Sequence, residues 1–317
     1  MTNSVLPPLD DARDGVGRLR HELAVDKKSV RAAFARAATR YDAAAVLQRE
    51  IADRLLARLD YMRIVPQRIL DLGCGTGYAV GLLRKRYPAA QLVGLDIALA
   101  MTATARARTL PRLPFGLGRH LSRSRFVNAD AEALPLADRS FDLIFSNLAL
   151  QWCDPDAVLR ECRRVLRPGG LLLFTTFGPD TLKELRAAWR VVDRDPHVHA
   201  FIDMHDLGDA LVRARFADPV MDVEPLTLTY ADVPGVLRDL KAIGAHNAAA
   251  ARNATLTGKA HFARFVQAYE VFRRTDGRIP ASYETVYGHA WAPQAEPASP
   301  ADGTAVISLS QLRRRRG

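Results

Sequence analysis

Four short stretches between residues 71 and 152 carry the side chains best suited to hold a polar ligand. The first, Asp71-Leu72-Gly73-Cys74-Gly75-Thr76-Gly77, follows an apolar run and opens a helical pattern. Glycines at alternate positions let the backbone turn tightly and approach a ligand without Cβ interference. The dinucleotide fingerprint G-x-G-x-x-G would need glycine at 78, where Tyr78 stands, and no G-K-[ST] follows as a P-loop requires. Asp71, just ahead of the glycines, suits a cationic ligand or a water network better than a pyrophosphate. The second stretch ends in Asp96, with Ile97 beside it, one β-α-β unit after the loop. An isolated Asp at a strand end is more often a cap or turn former; in this position a carboxylate can accept both hydroxyls of a ribose. The third, Asn128-Ala129-Asp130-Ala131-Glu132-Ala133-Leu134-Pro135, sets Asp130 to accept from an adenine amino group, with the backbone at Ala131 free to pair with the ring. The fourth is Ser146-Asn147-Leu148-Ala149-Leu150-Gln151-Trp152. Each lies at the carboxyl end of an expected strand, where open α/β sheets bind ligands.

The elements that must position these residues follow from apolar periodicity. Arg68–Leu72, Gln91–Asp96, Arg125–Ala129, Phe141–Ser146 and Leu171–Phe177 are short apolar runs bounded by Gly, Asp, Asn or Pro. Val158, Leu159, Cys162, Val165 and Leu166 form an amphipathic helix, ended by Arg167-Pro168-Gly169-Gly170. Strand–helix alternation predicts a parallel, doubly wound sheet, an α/β fold. Ahead of it, Val30, Phe34, Ala38 and Tyr41 recur at helical spacing, and Val46, Leu47, Ile51, Leu55 and Leu59 share a second helical face. Beyond Phe177, Leu226–Tyr230 and Tyr283–Trp291 read as strands flanking two helical stretches, Val236–Ile243 and His261–Phe272. The chain is therefore expected to comprise an arm (1–26), a domain (27–291) made of a helical cover (27–60), a ligand-binding core (61–180) and a helical insertion before the last strand (231–280), and a basic tail (292–317).

At 317 residues and 48% hydrophobic content, the chain is long enough to bury a substantial core. No run approaches the roughly 18 apolar residues that span a bilayer, and Pro7, Pro8, Asp10 and Asp11 stand where a signal peptide would need an apolar segment. A cytoplasmic protein with no membrane span is expected. Cys74, Cys153 and Cys162 lack CxxC spacing, so no disulfide framework is expected. His197 and His199 read as loop residues and not as metal ligands, and no metal is expected. Net charge is +10, of which Arg313, Arg314, Arg315 and Arg316 supply four. Residues 27–60 and 231–280 each hold eight Lys/Arg against four Asp/Glu, which reads either as solvated helix faces or as surface for an acidic partner. No motif for nucleic acid is present, and none is expected to bind.

The D-x-G-x-G-x-G loop, the acid after strand two, the D-A-E-x-L-P-L segment and the L-R-P-G-G run resemble class I methyltransferases over residues 68–177. The resemblance implies a seven-stranded Rossmann-like sheet and S-adenosylmethionine as cofactor. It also implies that Gly73, Gly75 and Gly77 cradle the methionine portion, Asp96 the ribose, and Asp130 with Ala131 the adenine; Asp71, Ile97 and Asn147 complete the expected cofactor set. A narrower resemblance runs from Val30-Arg31-Ala32-Ala33-Phe34 through Tyr41-Asp42 to Gln48, and through Ser146–Cys153 and Leu240–Ala245. These segments are similar to the malonyl-acyl carrier protein O-methyltransferases of biotin synthesis. That implies methyl transfer to the free carboxylate of a malonyl thioester on an acidic acyl carrier protein. Tyr41 and Gln48, seven apart, share a face if their helix is continuous, and the resemblance implies that they line the site. Trp152 and Phe177 are candidates for the substrate wall, and Trp152 reads equally as core packing. Lys183 and Arg186, three apart, either orient a carboxylate or form a solvated helix face. Two other activities remain open: a quinone-type small-molecule methyltransferase, and a methyltransferase-like assembly factor of respiratory complex I, which the Asp180-Thr181-Leu182 segment also resembles.

Overall fold

Strands that are apolar on both faces can be buried only in a sheet covered by helices on each side. In the computed structural model, which describes residues 24–109, 124–245, 247–249 and 258–294, the parallel strands are β1 (Arg68–Leu72), β2 (Gln91–Asp96), the partly exposed edge strand β3 (Ser124–Asn128), β4 (Phe141–Asn147) and β5 (Leu166–Phe177). They pair in parallel in the order β3-β2-β1-β4-β5. The sheet is completed by β7 (Ile279–Trp291), antiparallel to β5, and the edge strand β6 (Ala217–Tyr230), antiparallel to β7. The result is the seven-stranded α/β sheet of Rossmann-like type that the methyltransferase resemblance implies, with the parallel part that the strand–helix alternation leads one to expect. Neighbouring residues divide between two cores: Ile69, Leu143 and Leu171 face one with Ile51, Leu55 and Leu83, while Leu70, Ile144 and Leu172 face the other with Val158, Cys162 and Leu211.

The cover is not one helix. It consists of α1 (Lys27–Ala37), the single turn α2 (Tyr41–Ala44) and α3 (Val46–Ala57). Asp26 caps α1 by accepting from the amides of Lys28 and Ser29. Tyr41 and Gln48 thus lie on different helices, and no shared helical face brings them together. Around the sheet follow α4 (Tyr78–Arg86), α5 (Leu99–Thr109) and α6 (Pro155–Val165). Asp154 caps α6 through the Ala157 amide at 2.8 Å, and its apolar stripe Val158, Leu159, Cys162 and Val165 is fully buried. Between β6 and β7 stand α9 (Val233–Ala242) and α10 (Lys259–Glu270), close to the two helical stretches expected there.

Four expectations need correction. Leu166 and the Arg167-Pro168-Gly169-Gly170 run belong to β5, not to a helix end: Leu166 pairs with Phe141 before a register shift, Gly169 donates to the Ala292 carbonyl, and the Ala292 amide donates to Gly170. β6 starts at Ala217, well before the expected Leu226. The part before Leu226 is largely exposed and contains Pro219 and Pro225, so it shows no apolar alternation and is held by pairing to β7. β7 likewise starts at Ile279 instead of Tyr283. Between β5 and β6, α7 (Lys183–Arg190) extends the helix face weighed at Lys183 and Arg186, and α8 (Met204–Arg213) was not expected; they bury short stripes such as Leu185, Ala188 and Trp189. Residues 1–23 of the expected arm (1–26) and 295–317 of the expected tail (292–317) lie outside the described residues. No described helix is long and apolar enough to cross a membrane.

Candidate active site

The glycine loop is built from β1 outward. The amides of Gly73 and Cys74 donate to the Leu95 carbonyl at 2.8 and 2.9 Å, and the Gly75 amide donates to Asp96 Oδ2 at 3.0 Å, so the loop is fastened to the end of β2. Gly73 and Gly75 both have left-handed backbone, with φ of +77° and +51°. A Cβ on Gly73 would lie 2.3 Å from Ala149 Cβ, whereas one on Gly75 would meet no protein atom. Both glycines line a cavity of about 400 Å³ at the carboxyl ends of the strands; Gly77 does not, and a side chain there would strike Ala105 of α5. Asp71 also stands back from the cavity, buried beneath the loop.

Burial, then the nearby Asp96 charge, pushes the Asp71 carboxyl up to about 8, and its Oδ2 has no hydrogen-bond partner among the described residues. An unfolded chain releases this proton near 3.8. Between those two values the folded form keeps a proton that the unfolded form has lost, so stability is full below about pH 4 and falls as pH rises toward 8. Asp71→Asn keeps an acceptor for the Val80 amide and removes the titration. The ligand-free variant is expected to melt several degrees above the parent at pH 8, with a smaller gap at pH 5. Thermal melts across that range test this, and equal melting temperatures at pH 8 would refute it.

Asp96 and Ile97 line the cavity from β2, Asp130 and Ala131 from the loop after β3, and Asn147 from the end of β4. Asp96 Oδ1 accepts from the Ala98 amide at 2.8 Å; burial raises its pKa to about 6 against the lowering pull of its two backbone donors. Asp130 is not free: Lys27 Nζ lies 2.9 Å from it and 2.7 Å from Glu132 Oε1. Asn147 donates to the Gln48 carbonyl at 3.0 Å and accepts from Thr175 Oγ1 at 2.9 Å, which joins β4 to the cover and to β5. The cover is also tied to the loop through Asp42, which accepts from Thr76 Oγ1 at 2.5 Å and pairs with Arg108.

Tyr41, Gln48, Trp152 and Phe177 all line the cavity. Tyr41 is buried deeply enough, beside Asp96 and Asp42, that its phenol is held well above the ordinary value. Lys183 and Arg186 do not line it. Lys183 is exposed and pairs with Asp180 at 3.3 Å, while the Arg186 guanidinium donates to the carbonyls of Pro179 and Thr181. The inward stripe of α7 is instead Leu185 and Trp189, and both reach the cavity.

Sequence reasoning named only Trp152 and Phe177 of the far wall and missed the rest. Six rings follow one another along it: Phe34 to Trp152 at 5.4 Å, Trp152 to His199 at 4.7 Å, His199 to Phe201 at 4.5 Å, Phe201 to Phe177 at 5.9 Å and Phe177 to Tyr283 at 5.4 Å between centroids. His197 and His199 do lie in a loop, but both also line the cavity, with His197 stacked on Trp189 at 3.7 Å. Burial, and then Arg186, pushes the His199 imidazole down to about 4, so it is neutral at neutral pH. The only signal for the His199 and Phe201 part of this wall was the cluster of His and Phe within residues 197–201. Among the described residues no three His, Cys, Asp or Glu side chains group as metal ligands.

The cleft thus joins a polar end, with a glycine cradle and a carboxylate, to an aromatic end. A family model described as a methyltransferase domain matches residues 70–174. The malonyl-[acyl-carrier protein] O-methyltransferase of Gallionella capsiferriformans is 54% identical over 92% of this chain and 98% of its own length. The protein of the same name from Laribacter hongkongensis is 57% identical over 86% of this chain and 91% of its own. This chain belongs to that family. Its match spans the cover and the insertion as well as the methyltransferase core, and both of those parts wall the cavity through Phe34, Tyr41, Gln48, Leu237 and Leu240. The fold alone is shared more widely: the solved structure of YcgJ from Bacillus subtilis aligns with 77% of this chain and all of its own at a TM-score of 0.53 and 19% identity.

Proposed function

We propose that this enzyme transfers the methyl group of S-adenosylmethionine to the free carboxylate of a malonyl thioester on acyl carrier protein, giving a methyl ester for biotin synthesis in the cytoplasm. The observation that carries the reading is identity above 50% over nearly the whole length of relatives bearing that name. Of the activities left open by the sequence, it is the one these relatives support.

Three features favour the cofactor at the polar end. Gly75 leaves room where a Cβ would project, Asp96 presents a carboxylate suited to ribose hydroxyls, and Leu95, Ile97, Met101 and Ala129 offer an apolar floor for a flat base. Bound there, the cofactor supplies an electrophilic methyl group on a sulfonium. The acceptor carboxylate, with a pKa of roughly 3–4, is ionised at neutral pH and needs no general base. Its oxygen lone pair forms the new O–CH₃ bond while the electrons of the C–S bond return to sulfur, and no proton moves. The chain's own task is in-line approach and exclusion of water, for which the ring-lined end is suited. The basic cover and insertion favour an acidic carrier. Within the insertion, Arg238, Arg273 and Arg274 are engaged by Asp232, Glu270 and Asp276, Arg278 donates to Thr229, and Lys241 lines the cavity. This leaves Lys259 and Arg264 on α10 as docking candidates; among the described residues Arg264 donates only to the Val191 carbonyl, at 3.3 Å. Arg252 lies outside the described residues.

With labelled cofactor, malonyl-carrier protein is expected to acquire a base-labile methyl ester and acetyl-carrier protein nothing, because it offers no free carboxylate. Label on both carriers, or label stable to mild base, would point to C- or N-methylation and sink this chemistry.

A further inference from the structure

One residue of the cavity has no task at the cofactor end and carries an unmet polar atom. His199 is a buried polar member of the six-ring wall, and its Nε2 is buried with no hydrogen-bond partner among the described residues. Buried polar atoms are paired in the great majority of cases, so an orphan lining a ligand cavity signals a group that the ligand brings. The loop that presents His199 is firmly set. His197 Nε2 meets Asp193 Oδ1 at 2.8 Å, its ring stacks on Trp189, and Asn247 donates to the Pro196 carbonyl. Of the cations nearby, Lys27 lies between Asp130 and Glu132 and Arg186 donates to two backbone carbonyls, while Lys241 of α9 lines the cavity but is exposed to solvent.

Resting on the acceptor chemistry proposed above, we propose that His199 binds the acceptor carboxylate, its Nε2–H donating to the oxygen that does not attack. A neutral donor suits this task better than an ion pair. A guanidinium or ammonium in direct contact would draw charge from the carboxylate and blunt its attack, whereas one N–H fixes its orientation and leaves the second oxygen free. The rings on either side, Trp152 and Phe201, exclude water from that hydrogen bond and strengthen it. Because the transfer moves no proton, His199 stays neutral throughout and acts by binding and aim alone. The tautomer required carries its proton on Nε2.

The test uses the full chain saturated with S-adenosylhomocysteine and titrates in malonyl-coenzyme A and acetyl-coenzyme A by calorimetry. His199→Phe keeps the ring in the wall and removes the donor; His199→Gln keeps a donor and removes the ring. For His199→Phe, malonyl-coenzyme A affinity and kcat/KM for the malonyl carrier are expected to fall about 10- to 100-fold, with acetyl-coenzyme A and S-adenosylhomocysteine binding unchanged. His199→Gln is expected to restore most of the loss. His199→Phe binding malonyl-coenzyme A as the parent does would overturn the assignment. So would an equal loss for malonyl and acetyl ligands, or a Gln variant as weak as the Phe variant. A parent protein that binds both ligands alike and forms no ester would instead overturn the malonyl reading itself, and the assignment with it.

Discussion

Asp96→Ala is expected to weaken S-adenosylmethionine binding by about 2–3 kcal/mol, roughly 30- to 150-fold, through loss of two charge-assisted hydrogen bonds to the ribose. The geometry adds a second cost. Asp96 already accepts from the Gly75 and Ala98 amides, so its removal orphans two buried donors and loosens the cradle from β2. The variant should therefore also lose stability, by about 1–3 kcal/mol for each donor that finds no water. The carboxyl of the ligand-free protein titrates at about 6. Ribose hydroxyls favour its ionised form, so cofactor affinity in the parent should rise as pH increases through that value. In Asp96→Asn this rise should vanish. Calorimetric titration between pH 5 and 8 checks both points; unchanged affinity in a folded alanine variant would remove Asp96 from the cofactor site.

The adjacent glycines are expected to separate stability from binding. Gly73→Ala forces a Cβ to within 2.3 Å of Ala149 Cβ and holds a side chain at φ +77°. Left-handed strain costs about 1–2 kcal/mol and overpacking about 1–3, so a large fall in melting temperature should accompany loss of cofactor binding as the loop swings away from β4. Gly75→Ala meets no protein atom but also holds its side chain at a left-handed φ of +51°, so it should lose only the strain of about 1–2 kcal/mol, while its methyl group enters the cavity and blocks the ligand. Melting curves and S-adenosylhomocysteine titration of the two variants together decide this. Equal stability of both would mean that the Gly73–Ala149 approach does not constrain the loop.

The cofactor end was legible because its signals are local. The glycine spacing and the Asp after β2 lie within one β-α-β unit, and β1, β2 and β4 are continuous apolar runs. β6 was half hidden because an edge strand that faces solvent needs no apolar alternation. Lys183 and Arg186 looked plausible at a spacing of three, but the buried stripe of α7 runs through Glu184, Leu185, Ala188 and Trp189, and it turns Lys183 to solvent. His199 was legible as a loop residue but not as part of the wall. Its loop has no period, and its surroundings come from Trp152, Phe201 and Arg186, which only the folded topology brings together.

The position of β7 sets an order of events for a chain emerging from the ribosome. Residues 279–291 lie between β5 and β6 in the sheet but follow both in sequence. The parallel half, β1 to β5, has every partner in hand once β5 is made, whereas β6 has none until nearly the whole described chain has been synthesised. Through that interval two strand edges, one on β5 and one on β6, wait for the same thirteen residues, with their backbone groups open to wrong partners. Arrival of β7 satisfies both edges at once, so the final third of the molecule should lock in a single late step, bringing Tyr283 and the aromatic wall into place with it.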